Sequence, residues 1–181
     1  PANVAIAAHP SFSYLKAKID NEYFILGKES LAKLKREYEI VEEFSGKTLL
    51  GKAYQPLFQF ETPEKKAYVV VSGDFISNKE GTGLVHIAPA FGEEDMGVAK
   101  KNNLPIFLTV DEEGKFKKEI KPFANLFVKD ADALIINDLK KRNLLFREEP
   151  YEHEYPFCWR CDSPLLYFAK ESWFIKMTAL K

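Results

Sequence analysis

Two side chains near the middle of the chain, His86 and Asp95, are of types that can shape and charge a small ligand site. His86 is the polar interruption of an apolar run over residues 84–88, and Asp95 follows it after a proline and a glycine. A carboxylate forms strong, charge-assisted hydrogen bonds with cationic groups such as an ammonium. The two residues therefore predict a crevice with an imidazole on one side and a negative charge on the other.

A short strand followed by a helix would position these two side chains. Alternation along a strand places His86 and Ala88 on the same face. Pro89 has no amide hydrogen, so the strand is expected to end there. Residues 92–95 then read as the first helical turn, where a carboxylate such as that of Asp95 gains about 0.3–1 kcal/mol from the helix dipole.

Each of the two residues also has a simpler interpretation. A single histidine on a strand is usually a partnered core or surface residue, and acidic residues in a first helical turn usually do no more than offset the helix dipole. His86 and Asp95 taken singly therefore leave the function open, and the specific signal lies in the whole stretch around them.

The stretch from Gly81 to Asp95, GTGLVHIAPAFGEED, closely resembles the signature of the editing domain of isoleucyl-tRNA synthetases. The related leucyl and valyl enzymes share the GTG–strand–PA framework, but they usually carry His-Asp after Pro-Ala and lack a histidine at the place of His86. Here Phe91 and Gly92 follow the Pro-Ala pair, which favours the isoleucyl branch.

The resemblance implies hydrolysis of mischarged Val-tRNA(Ile), with valyl-adenylate as a second substrate, and it implies no cofactor for that reaction. Asp95 would bind the free amino group, and His86 would shape the pocket and exclude the longer isoleucine. The remaining implied substrate-binding residues are Asn3, Ala88, Phe91, Gly92 and Glu94. The implied partners are the acceptor end of tRNA(Ile), valine or valyl-adenylate, and the catalytic domain of the parent synthetase.

The chemistry of the residues fits direct hydrolysis by water. The sequence shows no Ser-His-Asp or Cys-His arrangement typical of a covalent nucleophile. Water would have to be held near the ester carbonyl, with donors where negative charge develops. The resemblance places a threonine-rich, pocket-forming segment just before Pro1, so we expect a fragment of a longer protein that binds valine weakly.

Composition limits the class of protein more than its function. The chain has 181 residues, of which 46% are hydrophobic and 14% are aromatic. This length and composition are enough to form one hydrophobic core, and the aromatic residues favour strands. The net charge of −1 gives no overall basic field for nucleic acid. No signal peptide and no apolar run of about 18 residues is present, which predicts a soluble protein without membrane contact. The resemblance implies a cytoplasmic location, and we expect the fragment to be monomeric.

The predicted fold class is α+β, a β-barrel-like editing domain of the Val/Ile/Leu-tRNA synthetase type with a few peripheral helices. The turn pair Asp20-Asn21 separates two predicted strands. The predicted elements include strands 3–8, 13–19, 22–26, 40–44, 67–71, 84–88, 105–110 and 144–147, and helices 29–38 and 130–142, besides the helix that begins at 92–95.

The chain changes character at about residue 150, which divides it into an editing domain, 1–149, and a return segment, 150–181, leading toward the missing catalytic domain. Cys158 and Cys161 have the spacing of half a tetrahedral zinc site. No second pair exists in the sequence, so we expect this half site to be empty here and to bind zinc only in an intact parent. Residues 173–175 would pack against that parent.

Two alternatives remain open from the sequence. The chain could be the editing domain of a sister valyl or leucyl synthetase, which would prefer other amino acid esters. It could also be a non-catalytic module that binds RNA or a partner protein, in which case replacing Asp95 by alanine would cost no function.

Overall fold

Two separate three-stranded sheets, flanked by short helices, organise the chain. The computed structural model describes residues 1–31, 33–34, 36–78, 81–148 and 155–179. The elements are β1 (Ala5–Ala8), β2 (Ser13–Ile19), β3 (Glu22–Gly27), α1 (Lys28–Leu31), β4 (Glu39–Ser45), β5 (Val69–Ser72), β6 (Leu84–Ile87), α2 (Glu93–Asn102) and α3 (Val128–Lys141), with 3₁₀ turns at Gly46–Thr48 and Met177–Ala179.

The first sheet has the order β5-β1-β6 and carries the predicted histidine strand. β1 runs parallel to β5 and antiparallel to β6, with Ile6 opposite His86 and Ala5 opposite Ile87. Because side chains alternate between faces, Ala5 and Ile87 point into an apolar cluster that also contains Val98 of α2. This packing fixes the end of β6 against the second half of α2.

The second sheet has the order β3-β2-β4, and both of its pairings are antiparallel. The β2–β3 turn is the predicted one, because Asp20 and Asn21 have φ values of 48° and 67°. Short polar side chains tolerate this left-handed geometry better than most residues do. The α+β class is confirmed, and the described strands lie in these two sheets without closing into a barrel.

A third buried cluster is formed mainly by chain segments that do not belong to a regular sheet. Val110, Phe116 and Phe123 are buried together with Ala131 of α3. The strand predicted over 105–110 is wrong, since only an isolated bridge joins Val110 to Phe116. Pro105 lacks a donor for a ladder, and the Asp111 carboxylate accepts the backbone N–H groups of residues 113 and 115 at 2.9 Å, which closes a turn instead.

Two further predicted elements differ from the structure. The helix predicted over 29–38 covers only Lys28–Leu31, because the N–H of Leu34 donates to the carbonyl of Leu31, a three-residue turn bond, at 3.0 Å. The strand predicted over 144–147 is not formed, and Phe146 instead packs against the cluster beneath the second sheet. Tertiary packing of these apolar side chains therefore outweighs their local pattern.

The described helices include none that is both long enough and apolar enough to cross a membrane. The domain boundary predicted at 149/150 lies outside the described residues. Beyond that gap, Leu166 packs against the aromatic cluster around Phe116, and the N–H of Ala169 donates to the carbonyl of Ala90 at 2.6 Å. The described part of the return segment thus contacts the region around α2.

Tyr14 joins the second sheet to the turn that precedes the histidine strand. Its side chain is 0% exposed, its hydroxyl donates to the carbonyl of Gly83 at 2.6 Å, and it accepts from the N–H of His9 at 3.0 Å. Burial raises the pKa of the Tyr14 hydroxyl, and the His9 bond opposes this rise. The neutral phenol therefore serves as a fixed link between the turn at Gly83 and the end of β1.

We expect Tyr14→Phe to destabilise the chain by about 1–3 kcal/mol, since it leaves two backbone groups without a partner. The matched control is Tyr23→Phe, because Tyr23 is 60% exposed. Urea unfolding followed by circular dichroism measures both. Equal midpoints for the two variants would contradict a structural role for the Tyr14 hydroxyl.

Candidate functional site

Three of the predicted site residues line one cavity of about 480 Å³, here called the central cavity. His86, Ala88 and Phe91 form one wall. The other walls come from segments far away in sequence, including Thr109 and Asp132. The lining is mostly apolar, with few polar groups, which is the usual character of a small-molecule site.

His86 reaches the central cavity because of its register on β6. Its neighbours Val85 and Ile87 turn into the first core cluster, so the alternation of the strand leaves His86 on the opposite, exposed face. Ala88 lies on the same face, at the strand end, and its small side chain leaves space beside the imidazole. The predicted alternation of this strand is thus confirmed.

Asp95 occupies the first turn of α2, as predicted. Its Oδ2 accepts the backbone N–H of Ala88 at 2.8 Å, so the carboxylate holds the end of β6 in place. A Cβ on Gly92 would lie 3.2 Å from the Asp95 Cγ, which is a tight contact. Because glycine has no Cβ, the Asp95 carboxylate can lie close to the backbone at residue 92. Asp95 does not line the central cavity, and no described cation forms an ion pair with it.

A turn connects these elements and divides the site into two compartments. The N–H of Phe91 donates to the carbonyl of Ala88 at 2.9 Å. The Phe91 ring lines the central cavity on one side and an open groove of about 650 Å³ on the other. Gly92 lines this outer groove, whereas Glu94 is exposed on α2 and lines neither compartment.

Asn3 is placed apart from the cavity lining. Its Nδ2 donates to the carbonyl of Ala5 at 2.7 Å, and its Oδ1 accepts a hydrogen bond from the Tyr54 hydroxyl. Burial raises the pKa of Tyr54 well above its ordinary value, with the Asn3 bond opposing and the charge of Tyr68 adding to the rise. The Asn3 amide is therefore oriented by a neutral phenol, a partner that the sequence did not reveal.

Several residues of the site were missed by sequence reasoning. Thr109, Asp132 and residues 165–167 line the central cavity, yet the sequence predicts none of them as a site residue. They come from three segments that meet only in the folded chain. No local signal in the sequence marks them, because their common feature is long-range packing.

The predicted half zinc site lies in a tight turn. The N–H of Cys158 donates to the carbonyl of Ser163 at 2.8 Å, and Asp162 sits within the turn at a positive φ of 55°. Hydrogen bonding to the Ser163 side chain, with smaller help from its backbone and from Cys158, lowers the pKa of the Cys161 thiol. Among the described residues, no three His, Cys, Asp or Glu side chains are grouped to hold a metal ion.

Comparison with known proteins identifies relatives along the whole chain. It is 48% identical over 181 residues to isoleucine–tRNA ligase of Clostridium acetobutylicum and 46% identical over 181 residues to that of Clostridium kluyveri. It is 44% identical over 182 residues to isoleucine–tRNA ligase 2 of Bacillus anthracis. Each match covers 100% of this chain and 18% of the relative, so the chain spans less than a fifth of their length. No protein-family model matches it.

Among solved structures, the chain is similar to GlLeuRS-CP1, with a TM-score of 0.61 and 17% sequence identity. The match covers 83% of this chain and 80% of that one, which establishes a shared fold. The sequence relatives and the shared fold agree with the motif that begins at Gly81. The chain is therefore a homologue of one segment of the isoleucine–tRNA ligases, and it shares the fold of GlLeuRS-CP1.

Proposed function

We propose that the chain is a proofreading hydrolase that removes valine from mischarged Val-tRNA(Ile), with valyl-adenylate as a second substrate. The observation that carries this proposal is the meeting of His86, Ala88 and Phe91 on one wall of the central cavity. The homology to isoleucine–tRNA ligases supports the choice of valine and isoleucine as the pair to be separated.

The physical problem is a difference of one methylene between the two amino acids. One methylene is worth about 1–3 kcal/mol in a binding pocket, and isoleucine against valine is the standard example of this limit. A site made for isoleucine cannot refuse valine on size. A second pocket, narrowed by His86 and Phe91, can accept valine and refuse isoleucine.

Asp95 is the proposed partner of the free α-ammonium group. Its Oδ2 is bonded to the N–H of Ala88 at 2.8 Å, while its Oδ1 has no hydrogen-bond partner among the described residues. A carboxylate at a helix start stays ionised at low cost, and a charge-assisted bond to the ammonium would orient the ester beside Ala88. Asp95 would then act at the rim of the central cavity.

The proposed reaction is direct attack of water on the ester carbonyl. The water oxygen bonds to the carbonyl carbon, the ester bond to the ribose oxygen breaks, and a proton passes to that oxygen. The products are valine and tRNA with a free hydroxyl. His86 forms no hydrogen bond with a described serine, threonine or cysteine, which favours water over a covalent intermediate.

The proposal includes the wider setting of the relatives. The partners would be the acceptor end of tRNA(Ile) and the catalytic domain of the longer protein, and the place of action would be the cytoplasm. Cys158 and Cys161 would supply two thiolates to a zinc ion in that longer protein. Zinc in structural sites prefers four ligands, so two further ligands would have to come from elsewhere in the longer protein. The proposed hydrolysis does not use this zinc ion.

Asp95→Asn is expected to lower the rate of Val-tRNA(Ile) hydrolysis about ten- to hundredfold, because it removes a charged bond worth about 1.5–3 kcal/mol while keeping an acceptor for Ala88. Asp130→Asn is the matched control, since Asp130 lies in the first turn of α3 and is exposed. Single-turnover hydrolysis measures both. Absence of hydrolysis by the unaltered chain, or equal rates for both variants, contradicts the proposal and favours a binding module.

His86→Ala is expected to enlarge the central cavity and admit isoleucine. Hydrolysis of Ile-tRNA(Ile) should then rise by about tenfold or more relative to Val-tRNA(Ile), the amount that one methylene of discrimination provides. His9→Ala is the control, because His9 stacks on Phe12 away from the cavity. Unchanged preference in the His86 variant would rule out size exclusion by the imidazole.

A further inference from the structure

The outer groove runs along one face of α2, beside the central cavity. Its volume is about 650 Å³, and one wall is formed by four residues of the helix: Glu93, Met96, Gly97 and Lys100. Residues spaced by three and four positions lie on one stripe of a helix. The helix rises about 10 Å from the first of these residues to the last, so the groove has the length of a short extended ligand.

The opposite wall is the return segment, which two contacts hold in place. The N–H of Ala169 donates to the carbonyl of Ala90 at 2.6 Å, and Leu166 packs in the aromatic cluster. Tyr167 follows Leu166 directly, yet it is 71% exposed, and no described ring or cation lies against its ring. An aromatic ring mounted between two anchored residues is a platform on which a nucleobase can stack.

Gly97 is a helical glycine that packing within the described chain does not explain. A Cβ at this position would meet nothing within 4 Å beyond its neighbours and the backbone of its own helix. Glycine is among the least favourable residues inside a helix, so a larger residue would fit and would stabilise α2. The effect of glycine here is to leave open the part of the groove beside Met96.

Lys100 supplies a positive charge at one end of the groove. It is exposed, and no described carboxylate forms an ion pair with it. Glu93 lines the other end of the helical wall, about 10 Å of helix rise away. The ammonium of Lys100 is therefore available to an anion from outside the chain, and phosphate is a common partner of lysine.

We propose that the outer groove binds the nucleotides that precede the esterified one in the single-stranded end of the RNA, with Tyr167 stacking on a base and Lys100 contacting a phosphate. This inference rests on the proposed function, since it assigns a further part of the same substrate. Phe91 and Tyr167 line both compartments, so a strand that leaves the central cavity past these two rings enters the groove. Sites for single-stranded RNA commonly combine aromatic stacking with positive charge.

The two compartments would then divide the substrate between them. The amino acid and its nucleoside would lie in the central cavity, and the preceding nucleotides would lie along α2. The groove would contribute to the affinity for RNA but not to the affinity for an isolated aminoacyl nucleoside. An apolar peptide is the competing occupant, but it would use neither the charge of Lys100 nor the exposed ring of Tyr167 as a stacking surface.

Two ligands separate these contributions in the full chain. One is 3′-deoxy-3′-(valylamino)adenosine, which carries no phosphate, and the other is an RNA tetranucleotide that ends in the same valylamino nucleoside. Gly97→Leu fills the groove and is expected to raise the Kd of the tetranucleotide about tenfold, because it displaces a stacked base, with the Kd of the nucleoside unchanged. Gly97→Ala is the matched control, since it adds only a methyl group. Titration by ¹H–¹⁵N NMR measures weak affinities and reports folding at the same time.

Lys100→Gln tests the phosphate contact. The slope of log Kd for the tetranucleotide against log salt concentration is expected to fall by about 0.7, the value for one phosphate contact on a single strand. Lys101→Gln is the matched control, because Lys101 is the next residue of α2, is exposed and does not line the groove. Its slope is expected to equal that of the unaltered chain.

Each outcome decides the inference. Unchanged tetranucleotide binding by Gly97→Leu and Lys100→Gln overturns it, as do equal slopes for the two lysine variants or an equal loss of both ligands in Gly97→Leu. If the unaltered chain binds the nucleoside as tightly as the tetranucleotide, the groove assignment fails while the proposed function stands. If the unaltered chain binds neither ligand, both fail.

Discussion

The hydrogen bond from the N–H of Ala88 to the Asp95 carboxylate is the contact on which the site depends. The bond joins Ala88, the residue that follows β6, to the first turn of α2. The turn between them contains Pro89, Ala90 and Gly92. A bond to a charged acceptor is worth about 1.5–3 kcal/mol. It sets the distance between the wall formed by His86 and the carboxylate at the helix start, so the proposed recognition of side chain and amine depends on this hydrogen bond.

The surrounding fold supports this hydrogen bond from two directions. The first sheet buries Ile87 beneath the strand, which turns His86 outward, and α2 packs Val98 into the same cluster. Tyr14 reaches from the second sheet to the turn before the strand. The central cavity thus lies between β6 and the start of α3, and most of its lining comes from chain segments without regular structure.

The parts of the fold that sequence predicts well are those with local causes. The turn at Asp20-Asn21, the strand of His86 and the helix start at Asp95 follow from short-range geometry and from a motif. The strand predicted over 105–110 fails because its residues find partners in a turn and an aromatic cluster. Thr109 and Asp132 escape prediction for the same reason, since only long-range packing brings them to the cavity. The sequence predicts the wall that holds His86 and Phe91 but not the lining residues that come from distant segments.

The return segment has a consequence for how this protein divides into parts. Leu166 belongs to the aromatic cluster, and residues 165–167 close one side of the central cavity. A chain shortened to its first 148 residues would keep the histidine strand and the acidic helix start but would open the pocket on that flank to bulk water. The part of the chain that encloses the proposed pocket is accordingly larger than the motif over residues 81–95, and selection among side chains, as proposed, would require both parts.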